Sequence, residues 1–96
     1  MMDQKSLLDF TGRERASFES KLRQFVETPS VSADPAHAGD IRRCAELAAQ
    51  TVRELGGEAD VLETSGNPLV HGRFRNAVAK KTVTIYNHLD VQPAAD

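Results

Sequence analysis

The sequence holds one cysteine, one tyrosine and no tryptophan, and it contains no long apolar run. Cys44 alone cannot form an internal disulfide, and without a C-x-x-C pair nothing points to a zinc ribbon or to thiol–disulfide chemistry. At a helical position it reads as a small core residue. Charge of neither sign dominates: 12 Lys and Arg against 14 Asp and Glu leave a formal net charge of −2 and a pI near 5.9. Such a chain has no positive field to gather phosphates by counterion release, so nucleic acid is not expected as a partner. Before charge returns, the first residues offer only Leu7, Leu8 and Phe10, too short a patch for a signal-peptide core or a membrane span. The expected location is the cytoplasm, with no membrane partner.

What is present describes an ordinary globular protein. Of 96 residues, 40% are apolar and 27% charged, and the mean hydropathy is −0.43. That length supports one small domain with a core, here residues 1–96, and not two.

Thr11 followed by Glu14 has the form of a capping box, and Phe18, Leu22, Phe25 and Val26 then recur on one helical face. The pattern predicts a helix over 12–27, ended by Pro29. Ser30, Ser32, Pro35 and Gly39 read as a turn-rich loop, with Asp40 as the N-cap of a second helix. In that helix Ile41, Cys44, Ala45, Ala48, Val52 and Leu55 form a narrow stripe suited to packing on a sheet, and Gly56-Gly57 supplies a left-handed stop. The polar positions around Arg42, Arg43, Glu46, Gln50, Arg53 and Glu54 read as solvated surface. Three β-prone runs follow, at 59–62, 69–74 and 82–86. The last, TVTIY, is β-branched or aromatic throughout, as in an interior strand covered on both faces. The class is therefore α/β, with two N-terminal helices packed on a sheet.

His88 and Asp90 stand just past the C-terminal end of that third apolar run, where open α/β sheets place their ligands. A histidine there can offer a neutral ring nitrogen to a metal while a nearby carboxylate takes the other ring N–H and fixes the tautomer. The same two residues also fit a surface turn closed by Pro93.

The surrounding string KTVTIYNHLDVQPAAD resembles the strand and metal-ligand motif of the M20 metallopeptidases, especially their carnosinase-like dipeptidase branch. The matching residues are His88, Asp90, Val91, Gln92 and Pro93. Two upstream stretches agree in order and spacing: FVETPSVSADP is similar to the family's Pro-Ser-Val-Ser segment, and GNPLVHGRF to its Asn-Pro-Leu-Val strand. Leu89 departs from the branch, whose members often carry an aromatic residue there.

The resemblance implies a three-layer αβα zinc-exopeptidase catalytic domain, of which these residues are the first part. His88 is then a direct ligand to one zinc ion, and Asp90 the catalytic-site carboxylate that orients it. In the family two zinc ions, for which manganese or cobalt can stand in, polarise the scissile carbonyl and activate water against a short peptide. The remaining ligands and the general base lie downstream in the family's order, so the chain alone is expected to be inactive. Asp96 follows the motif too closely to be the bridging ligand.

Other residues carry less. His37 reads as a solvated side chain on an exposed connector, and His71 as a structural residue of the second strand. Ser30 and Ser32 suit turn or cap roles better than that of a nucleophile, since no base is placed beside them by sequence. Two other functional readings fit the chain: a non-catalytic binding or scaffold module, and a fragment that complements a second chain. The apolar run at 82–86 further implies self-association of this chain, and a homodimer is expected of the complete enzyme.

Overall fold

A computed structural model describes residues 3–94; Asp96, excluded above as a bridging ligand, lies outside them. The first element is a helix, α1, spanning Gln4–Glu27. It starts eight residues before the start that the sequence pattern predicts. The Asp3 carboxylate accepts the amide of Ser6 at 2.7 Å and so caps the first turn. Thr11 makes no capping box. It lies mid-helix, where its hydroxyl donates back to the Leu8 carbonyl at 2.9 Å. At the other end Thr28 leaves helical geometry with φ −77° and ψ 117°, the conformation a following proline imposes. No residue of α1 is buried. Phe10 and Phe18 stack edge to face on its surface at 6.1 Å.

Two tight turns follow, in which Ser30 donates to the Thr28 carbonyl at 2.7 Å and Val31 to that of Pro29 at 2.9 Å. They turn Ser30 and Val31 into the interior, where both are buried. The Asp34 carboxylate then accepts the Ala36 amide at 2.9 Å and starts a single 3-10 turn, Pro35–His37. That turn runs directly into α2, Ala38–Glu54. Asp40 is thus inside the first turn of α2 and not its N-cap, because the 3-10 turn has already begun the helical path.

The apolar stripe of α2 is buried through Ile41, Cys44 and Ala45; beyond them the enclosed residue is Ala49, one position past the expected Ala48, which like Val52 is only part-buried. Leu55 falls outside it: the helix has ended, and this side chain is exposed. Gly56, at φ +92°, makes the left-handed stop. Of the polar positions, Arg53 does more than solvate the surface, since it donates to the Ala59 carbonyl at 2.8 Å and ties the helix end to the first strand.

Strands β1, Glu58–Leu62, and β2, Leu69–Arg73, pair antiparallel with Ala59 opposite Gly72 and Val61 opposite Val70. These pairs face α2, while Asp60 and His71 face each other on the outer side. The architecture is the α/β arrangement implied by the sequence, with α2 carrying the packing and Lys21 joining α1 to Glu54 of α2 at 3.5 Å.

The third strand is a correction. Residues 82–86 form no strand, and Val83, Ile85 and Tyr86 are 83%, 77% and 85% exposed. A run that is apolar on both faces gains from strand pairing only when both faces are covered. Here α2 already occupies one face of the two-stranded sheet, and among the described residues β1 and β2 pair only with each other.

A candidate metal-binding site at His88 and Asp90

The segment that carries His88 has no regular structure, so its position depends on a few contacts with the loop after α1 and with α2. The Val91 amide donates to the Ser30 carbonyl at 3.0 Å. One residue earlier, the Asp90 carboxylate accepts the Ser32 hydroxyl through Oδ2 at 2.6 Å. Its other oxygen, Oδ1, lies 3.2 Å from Nδ1 of His88. From below, the Cys44 thiol of α2 points at the Leu89 carbonyl at 3.9 Å. Together these groups border an open cleft of about 290 Å³ whose walls include Ile41, Pro68, Leu69 and Tyr86.

The electrostatics favour an ionised Asp90. Its carboxyl is held below the ordinary range first by the Ser32 hydrogen bond, which outweighs the opposing effect of burial, and His88 adds a smaller lowering. A carboxylate accepts only, so the 3.2 Å contact places the ring proton of neutral His88 on Nδ1 and leaves the Nε2 lone pair free. The ring is 77% exposed, so nothing in the described residues covers it. Burial raises the Cys44 thiol, Asp90's charge adds to this and the neighbouring Ser30 hydroxyl works against it, so the sulfur stays protonated and apolar in character.

The structure brings His88 and Asp90 together, and it keeps the other two histidines apart from them. His37 is half-buried, in contrast to the solvated connector residue that the sequence suggests, because its Nδ1 lies 2.7 Å from Oδ2 of Asp40. Arg43 also reaches Asp40, on Oδ1. His71 stands exposed on the outer face of β2. Ser32, which the sequence suggests as a turn or cap residue, instead donates to the Asp90 carboxylate. Its partner lies far along the chain, and the one available signal was the match of its Pro-Ser-Val-Ser segment.

As a metal site the described residues fit in part. Nε2 of His88 is one free imidazole donor, and both oxygens of Asp90 are engaged, which suits orientation of the ring. Among the described residues no three His, Cys, Asp or Glu side chains converge as a ligand set.

Over 104 aligned residues, covering 98% of this chain, the sequence is 30% identical to the Cys-Gly metallodipeptidase dug1 of Schizosaccharomyces pombe. It is 32% identical over 101 residues, covering 92% of the chain, to the Cys-Gly metallodipeptidase DUG1 of Candida albicans. The chain is similar to metallodipeptidases. It spans only about a fifth of these relatives' length, 22% and 21% respectively. No protein-family model matches the chain, and no solved structure matches it. In this metallodipeptidase-like chain no helix among the described residues is long and apolar enough to cross a membrane.

Proposed function

We propose that this chain is the first part of the catalytic domain of an M20-type dipeptidase that hydrolyses short peptides at a two-metal site. The observation that carries the reading is the contact of Asp90 Oδ1 with Nδ1 of His88, with Oδ2 held by Ser32. In it His88 binds one metal ion, zinc being the proposed metal, through Nε2. Asp90 holds the ring in the Nδ1–H tautomer and strengthens Nε2 as a donor. When bound, the metal pair supplies Lewis-acid polarisation of the peptide carbonyl and a water of lowered pKa. The names of the relatives support a dipeptide as the substrate class.

The remaining ligands belong to polypeptide beyond these residues, so the 96-residue chain alone has no peptidase activity. A catalytic zinc takes about three protein ligands, and a two-metal site takes more. The exposed run around Ile85 and Tyr86 is the surface on which the further strands of the three-layer domain pack. The test is an assay of the purified chain with added zinc against a panel of dipeptides, which should give no hydrolysis above the metal alone. Hydrolysis by the chain that disappears in His88→Ala contradicts the ligand count.

A further inference from the structure

We infer that Ser32 is a positioning residue for the metal site, acting on His88 through Asp90; the inference rests on the reading of His88 as a ligand. Its 2.6 Å contact joins two segments far apart in the chain and is a short, charge-assisted O–H···O⁻ bond. A carboxylate on an irregular, partly exposed segment can turn about its own side-chain torsions and present either oxygen, or neither, to a neighbouring ring. With Oδ2 held by a fixed donor, only Oδ1 is left for Nδ1 of His88, and the plane of the carboxylate is set.

The donor itself is fixed from inside the fold. Ser32 follows Ser30 and Val31, both buried, and the Ser30 carbonyl receives the Val91 amide at 3.0 Å. One side-chain and one main-chain hydrogen bond thus fasten the loop after α1 to Asp90 and to the next residue, Val91. The Ser32 side chain is exposed, so removing its hydroxyl leaves no cavity. Its effect is therefore expected in the ring and not in the stability of the fold. The Ser32 hydroxyl donates to Oδ2 of Asp90, whose other oxygen faces the His88 ring, so the contact serves to orient that ring.

The experiment follows the ring nitrogens of the histidines by ¹⁵N NMR in the full chain, at a pH where the rings are neutral. His37, held by Asp40 at 2.7 Å, serves as the internal reference for an intact fold. In the native chain His88 should be mainly the Nδ1–H tautomer. Ser32→Ala should move His88 toward Nε2–H, leave His37 unchanged, and weaken zinc binding a few-fold. Ser32→Thr, which keeps the hydroxyl, should restore the native ring signal. If Ser32→Ala leaves the His88 ring unchanged while Asp90→Asn alters it, the role of Ser32 is overturned and the pairing of His88 with Asp90 stands. If neither variant alters the ring, that pairing fails as well.

Discussion

Val52 and Gly57 approach so closely that a β-carbon added to Gly57 would lie 2.7 Å from Val52 Cγ1, 2.9 Å from Phe74 Cε1 and 3.0 Å from the Arg73 carbonyl. This contact closes the end of α2 over the sheet. Gly57→Ala is therefore expected to destabilise the chain by about 1–3 kcal/mol, the usual cost of overpacking. Gly39, in α2 with nothing within 4 Å of its added β-carbon, should behave in the opposite sense. Gly39→Ala is expected to stabilise by about 0.4–1 kcal/mol through reduced freedom of the unfolded chain. Urea unfolding of the two variants reads both signs, and equal midpoints would refute the packing described at Gly57.

Acid should loosen the fold through two carboxylates. The Asp40 carboxyl is held below its ordinary range by the His37 hydrogen bond first and by Arg43, and that of Glu58 by Arg73 first and then Arg75. A carboxylate with a lowered folded-state pKa contributes stability above its unfolded value and loses it as pH falls through the folded one. The loss belongs at and below the ordinary carboxylate range of about pH 4. Glu58 is more than half exposed, so its share is screened by solvent, while the Asp40 side chain is only 17% exposed. Melting temperatures measured across that range should fall less steeply in the Asp40→Asn, Glu58→Gln double variant, and superimposable curves would contradict the assignment.

The apolar run that found no strand partner should make the chain associate. With Val83, Ile85 and Tyr86 each more than three-quarters exposed, an aqueous monomer leaves a contiguous apolar segment in water. Sedimentation is expected to show species larger than the monomer, shifting toward monomer in Ile85→Lys. A monodisperse native monomer would contradict this.

Much of the fold was legible because it is local. The stripe Ile41, Cys44, Ala45 and the stop at Gly56 follow from spacing and from glycine's tolerance of positive φ, and the two strands from β-prone runs on either side of a Ser-Gly-Asn turn. The start of α1 differs from the pattern because Thr-x-x-Glu has the form of a cap, whereas Asp3 caps earlier and Thr11 lies mid-helix. The run at 82–86 forms no strand because pairing depends on a neighbour that local composition does not specify. At the site, His88 and Asp90 stand two residues apart and were visible together. Ser32 was not, because its hydrogen bond to Asp90 exists only once the loop after α1 folds back on the end of the chain.

The role of His88 as a metal ligand oriented by Asp90 is tested most directly by a zinc titration read at the histidine rings. Nε2 of His88 should respond first, before any signal of His37 or His71, and His88→Ala should abolish that response. Asp90→Asn should weaken it by roughly 10- to 100-fold, the usual cost of losing a carboxylate that orients a ligand. Zinc that engages His37 or His71 while His88 stays unchanged, or an Asp90→Asn chain that binds as tightly as the native one, would contradict the claim.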